Sequence, residues 1–323
     1  MLQIRVDATR IHIGERFSVS FQRTLRVPDD GREYPLPPGL GPFPIRAGRD
    51  YQTRVPREWI ANAGAFIPLY QREALWLGFD AADWKPNAVQ VHVGRVNAVT
   101  GGPWEEGLRS RPQNYMVCPD QPWLDGINVG ERFVRQFVAV PLGSGYSVEA
   151  QLTGSDVFGG LQITVFEPRP GQFPDAAPPE RTGGPMVMEA LSGTAGGMGV
   201  GAGGRITQKI YPDPYGIDVW DRGNTGSVTV HLVNTDQYRE ITGSDPPPTP
   251  IDAGTYTSHG FPWFALYDER RGDVAASDRL GEVESIGARD KRLNPEANAD
   301  PSVEVDEEQI EKLRMTDRDR HKR

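Results

Sequence analysis

The sequence predicts an all-β protein, antiparallel and sandwich-like in one or two units, with long Pro/Gly-rich loops and a C-terminal tail that is disordered or partly helical. Three observations predict it. Short runs alternate apolar with polar residues, the period of a strand that buries one face. Gly (37) and Pro (29) are abundant in the 323 residues, and inside a helix they cost about 1 and about 3 kcal/mol. Beyond residue 281 the text turns charged and poor in aromatics, too thin in apolar groups to offset the entropy of ordering.

Taken in order, Phe17, Val19 and Phe21 alternate with polar neighbours as a half-buried strand does. Residues 27–45 carry Pro28, Pro35, Pro37, Pro38, Pro42 and Pro44, and each removes a backbone donor, so an ordered connector running over the surface is expected. Residues 74–79 and 89–93 read as a pair of strands. Residues 133–140, 146–152 and 161–166, separated by short Gly-containing loops, read as a meander. A Gly/Met-rich loop follows at 183–204, then a strand at 206–210 and a hairpin at 217–233. Asp245 to Pro250 reads as an extended strut that delivers the aromatic stretch with Phe261, Trp263 and Phe264 back to the body. In the tail, Asp306 followed by Gln309 is a helix-start pattern, with Ile310 and Leu313 on one face. The division this suggests is 1–110, a first β unit; 111–245, a second; 246–281, strut and aromatic strap; 282–323, charged tail.

A net charge of −9 argues against nucleic acid as a partner, because that affinity comes largely from Lys and Arg on phosphates. No segment approaches the ~20 apolar residues of a spanning helix. The first residues lack the basic and apolar regions of a secretory signal, and Cys118 is the only cysteine, so a reducing, cytoplasmic setting is expected.

Motifs for chemistry are thin. Gly199, Gly201 and Gly204 spell G-x-G-x-x-G, but a dinucleotide site needs a strand before and a helix N-terminus after, and a mobile or interface-ordered loop is the expectation. Cys118, beside Pro119, reads as a small core residue. His12, His92 and His231 each sit between two apolar residues, where a strand would turn them to the opposite face; the expectation is solvent-facing polar positions and no metal. No cofactor is implied. Trp123 with Asp125, and Asp218 with Trp220, place acids beside aromatic rings, as carbohydrate-cleaving sites do; the same pairs also suit a turn former beside a core plug.

The stretches Tyr70 to Trp76, Gln121 to Asn128, Arg135 to Gly154, Tyr211 to Gly216 and Pro262 to Phe264 resemble a family of uncharacterised β-rich proteins of unknown function, some of whose members are loosely labelled integral membrane proteins. The resemblance carries no activity and no site, and the lack of any spanning segment departs from that label. The expected function is therefore a non-catalytic binding or self-assembling structural protein with a carbohydrate or protein ligand, and its alternative a carboxylate-dependent hydrolase acting on a carbohydrate. A homo-oligomer is expected, with Met186, Met188, Leu191 and Met198 as contacts, because a long Gly-rich apolar loop is retained most readily where a partner orders it.

Overall fold

The computed structural model of the chain describes residues 1–60, 63–130, 132–176, 197–266, 271–296 and 300–313. β1 (Ile4–Val6), β2 (Ile11–Ile13) and β3 (Phe17–Thr24) follow one another as antiparallel neighbours. β4 (Glu33–Tyr34), β5 (Gly39–Pro42) and β6 (Arg46–Ala47) are short. β7 (Ala65–Pro68), β8 (Ala74–Ala81), β9 (Asn87–Val93), β10 (Val96–Asn97), β11 (Met116–Cys118), β12 (Trp123–Leu124), β13 (Gly126–Gly130) and β14 (Phe133–Pro141) lead to helix α1 (Val148–Thr153). β15 (Leu161–Pro168), β16 (Gly197–Thr207) and β17 (Trp220–Val233) complete the sheet. Then come α2 (Thr235–Thr242), α3 (Ala253–Ser258), β18 (Trp263–Leu266), α4 (Asp278–Gly281), α5 (Ile286–Leu293) and β19 (Ile310–Leu313).

Seventeen strands share one hydrogen-bonded network that folds into two layers. One layer runs β1-β2-β3-β8-β14-β16, the other β9-β15-β17-β7, and Gly197 and Met198 of β16 pair with Val233 and Leu232 of β17 to join them. Between the layers lies the main core. Phe17, Val19, Phe21, Leu75, Leu77 and Phe137 meet Val89, Val91, Ile163, Val165, Val228 and Val230 there, the interleaved packing of a sandwich. Pairs such as Leu75 with Phe137 and Val91 with Ile163 join chain from before and after residue 110 in both layers. Among the described residues no helix is long and apolar enough to cross a membrane.

The all-β class and the antiparallel pairing hold; several local expectations do not. Residues 148–153 are helical, since Ser147 Oγ accepts Ala150 N at 2.9 Å as an N-cap and Gly154 ends the helix at φ +72°. The meander is absent: β14 pairs with β8, β13 and β16, whereas β15 pairs with β9 and β17 in the other layer. β8 and β9 likewise lie in opposite layers. The hairpin at 217–233 is one strand, β17, preceded by a short 3-10 turn. The Pro-rich connector packs inward through Val27, Leu36, Phe43 and Ile45 because its apolar residues outweigh what its prolines imply.

The largest correction concerns the glycines. Residues 197–207 are not a loop but a buried strand, and Met198 is a core residue at 3% exposure. Met186, Met188 and Leu191 lie outside the described residues. A Cβ on Gly204 would sit 2.3 Å from the Pro28 carbonyl oxygen, and one on Gly201 3.0 and 3.2 Å from Val140 and Ile286. At these glycine positions the strand lacks side chains because neighbouring chain occupies their space.

The end of the chain forms a satellite layer. Leu25, Val27, Tyr34, Leu36, Val134 and Ile206 meet Ala253, Tyr256, Trp263 and Val303 in a separate cluster. The tail takes the helical form in α5, the Asp306–Gln309 capping box is present, and β19 lies parallel to β18.

Two expected outcomes follow from this packing. Trp263 is fully buried with its Nε1 donating to Thr257 Oγ1 at 3.0 Å, so Trp263→Ala should lower unfolding free energy by about 3–5 kcal/mol in urea titration. Gly204→Ala should cost about 1–3 kcal/mol by the same measurement, since backbone must shift to admit the methyl; an unchanged midpoint would contradict the close approach to Pro28.

Candidate binding cleft

The acids and rings singled out from sequence settle into two separate places. Trp220 is fully buried, in a cluster with Tyr115 and Phe166. Its Nε1 donates to Asp213 Oδ2 at 2.9 Å, and the same carboxylate accepts Tyr115 OH at 2.6 Å and Tyr215 N at 2.8 Å. Asp213 is thus a structural acceptor. Asp218, exposed on the 3-10 turn, lies at this same end. Trp123 packs instead on the satellite cluster and donates to Asp125. Asp125 is buried, with Gln208 Nε2 donating to its Oδ2 at 2.8 Å and Gln208 Oε1 accepting its backbone N–H at 2.9 Å. Burial, only partly countered by those two donors, pushes the Asp125 carboxyl up to about 7.

The other reactive side chains are occupied structurally. Cys118 is buried, its thiol donating to Gln121 O at 3.2 Å, and burial together with Asp120 raises its pKa well above the ordinary range. His231 stacks on Trp59 at 4.3 Å, His92 meets Trp104 at 4.7 Å with the rings tilted by 42°, and burial lowers each to about 4. Both are neutral at pH 7. They were expected to face solvent, but loops cover that side of the second layer. His12 pairs with Asp7 at 2.8 Å. Among the described residues no group of three or more His, Cys, Asp and Glu is placed to hold a metal.

What the fold does build is a cleft, and it lies where sequence reading assigned no role. The turn between β7 and β8 forms one wall with Tyr70, Arg72 and Glu73; the end of β3 contributes Thr24, Arg26 and Val27; residues 249–254 and 300–303 close it from the other side. Its volume is about 260 Å³, just short of the ~300 Å³ at which small-molecule pockets begin.

Ion pairs fix the walls. Arg23 donates twice to Glu73 Oε1, at 2.7 and 2.6 Å, and its Nη2 also donates to the Pro248 carbonyl, which anchors the Pro-rich arm to β3. Tyr70 N donates to the other oxygen of Glu73 at 2.8 Å. Arg72 makes a two-pronged pair with Asp290 at 2.5 and 2.8 Å, and Arg26 pairs with Asp300. Arg72 holds this position at φ +68°, a left-handed conformation uncommon for a side chain of its size. Asp252 is the exception among the lining acids: no Lys or Arg of the described residues pairs with it. Its oxygens accept Thr255 N at 2.8 Å and Thr255 Oγ1 at 2.6 Å, which cap α3 and keep the carboxyl below the ordinary range. Beside it Ile251 stands at the rim, 45% exposed.

Sequence reading missed this site because its partners are distant in the chain: Arg23 and Glu73 are 50 residues apart and Arg72 and Asp290 are 218 apart. The usable signal was Glu73 directly preceding an apolar strand, where a charge demands a partner.

Asp125 yields a pH prediction. Its folded pKa of about 7 lies above the ~3.9 of an unfolded Asp, so the folded state binds the extra proton between those values. Stability should therefore be greatest below pH 4 as far as this group is concerned, fall as pH rises toward 7, and level off above, at about 1.4 kcal/mol per unit at most. Asp125→Asn should flatten that slope in thermal melts from pH 4.5 to 8; a slope equal to the parent's would show that Asp125 does not titrate there. No family model, curated protein or solved structure matches this chain.

Proposed function

We propose that the chain is a non-catalytic binding protein that works by self-association, and that the cleft beside the Pro-rich arm is the surface it uses. The observation that carries this reading is the cleft's construction: charged walls pinned by ion pairs, a strained Arg72, and an exposed apolar Ile251 at the rim. A site whose walls are ordered in advance loses little freedom on binding. Exposed apolar surface beside a rigid wall is also what association removes from water.

The rival reading, a carbohydrate hydrolase, draws on Asp125, which is protonatable near neutral pH and touches an indole. Against it, Asp218 sits by the other cluster with Trp220, while Asp125 is enclosed.

Light scattering over a wide concentration range tests the proposal. The mass should exceed 35.7 kDa at high concentration, and Ile251→Asp should shift association to at least about tenfold higher concentration, a loss of about 1.4 kcal/mol. A mass fixed at the monomer value would overturn self-association. Reducing-sugar release from a polysaccharide, abolished by Asp125→Asn, would put the hydrolase in its place.

A further inference from the structure

We infer that the cleft is a site for a cationic stretch of extended polypeptide, and that its resident occupant is the chain's own last ten residues, 314–323. The inference rests on the cleft being the binding surface.

Charge gives the first argument. The lining holds Arg26 and Arg72 against Glu73, Asp252 and Asp300. Arg26 is matched by Asp300, Arg72 by Asp290, and Glu73 by Arg23 from behind. Asp252 is left as net negative charge on an exposed position, and its hydrogen bonds from Thr255 keep it ionised. Beside the polar Thr24, Tyr70, Gln71 and Thr249, the lining offers apolar and proline surface at Val27, Pro28, Pro250, Ile251, Pro301 and Val303. A ligand that fits carries a cation for Asp252 and aliphatic stems for the proline walls, as Lys and Arg do when their stems lie along apolar surface.

The chain supplies such a segment. Although its total charge is −9, residues 314–323 hold five cations, Arg314, Arg318, Arg320, Lys322 and Arg323, against Asp317 and Asp319. Where that segment begins gives the second argument. Val303 lines the cleft, and from there the chain runs to Gln309, whose Nε2 donates to Thr257 O at 3.0 Å, and on to Leu313 beside Leu266. Ten residues separate Val303 from Leu313. A further ten span up to about 33 Å, enough to retrace that path to Asp252. Tethering also favours the chain's own segment over a neighbour's, at an effective concentration on the order of millimolar. Held there, the tail occupies the surface through which copies associate.

The test uses full-length protein carrying Arg318→Glu, Arg320→Glu, Lys322→Glu and Arg323→Glu, titrated with a fluorescein-labelled synthetic peptide of residues 314–323 and read by fluorescence anisotropy. The peptide should bind this variant at least about tenfold more tightly than it binds the parent, whose own tail competes. Adding Asp252→Asn should weaken peptide binding about three- to fivefold, and so should raising salt from 0.05 to 0.5 M. Asn caps a helix as well as Asp does, so an unchanged melting temperature separates loss of the site from loss of the fold. Equal peptide binding to parent and charge-reversed protein, or binding indifferent to Asp252→Asn, would overturn the inference. So would a parent dimer that the charge reversal dissociates, since the tail would then sit in a partner's cleft. If the peptide behaves as expected but no variant ever departs from monomer mass, self-association fails and the site stands; if Ile251→Asp alters association while the peptide does not bind, the reverse holds.

Discussion

The Arg23–Glu73 pair is the constraint around which one end of this molecule is organised. Both side chains are nearly sealed from water, at 3% and 1% exposure, and removing water from two charges is costly unless each finds partners. Burial pushes the Glu73 carboxyl up and Arg23 pulls it back. The pair is tolerable because the remaining capacity is used: Tyr70 N on the second carboxylate oxygen, the Pro248 carbonyl on the guanidinium, the Phe43 ring beneath it at 5.5 Å. Satisfying those groups draws three separate pieces of chain to one point. β3 supplies the arginine, the turn before β8 the glutamate, and the Pro-rich arm the carbonyl. Truncating either charge would leave the other stranded, which typically costs 3–5 kcal/mol or roughly that.

From that point the cleft follows as a by-product of geometry. Once the arm is tied to Arg23, residues 249–254 must pass alongside the Tyr70–Glu73 turn. α5 then brings Asp290 to Arg72, and the following segment brings Asp300 to Arg26. Each of these contacts joins an arginine next to the end of a strand in the first layer to an acid from the C-terminal part of the chain. The charged composition that made the tail read as a solvated segment is thus also what fastens part of it to the body.

Much of the β character was legible in the sequence, because alternation is a local property. Phe17, Val19 and Phe21 fall in β3, Ile163 and Val165 in β15, and the Asp306–Gln309 box is where its spacing put it. Partner choice was not legible. Nothing in residues 133–166 states that β14 and β15 belong to opposite layers, since that depends on α1 carrying the chain across, and α1 depends on one serine hydroxyl and one glycine. Of the site, the contact between Trp123 and Asp125 was accessible because they are two residues apart. Arg23, Arg72 and Asp252 were not, because a charge in a sequence looks the same whether water or a guanidinium 200 residues away will satisfy it.

The glycine strand β16 has a consequence for how this protein reaches its fold. A strand usually carries its own instructions for register, since a one-residue slip would turn its apolar side chains to the wrong face. Over Gly197 to Gly204, side chains occur only at Met198, Val200 and Ala202, and the fit is dictated by what already stands around it: Val138, Val140, Ile286 and the Pro28 carbonyl. Here Met198, Val200 and Ala202 turn one face to the main core, while the glycines between them leave the other face to be filled by its neighbours. That second face is closed by β14, α5 and the Pro28 segment, drawn from both ends of the sequence, so the contacts that complete this strand are of high sequence separation.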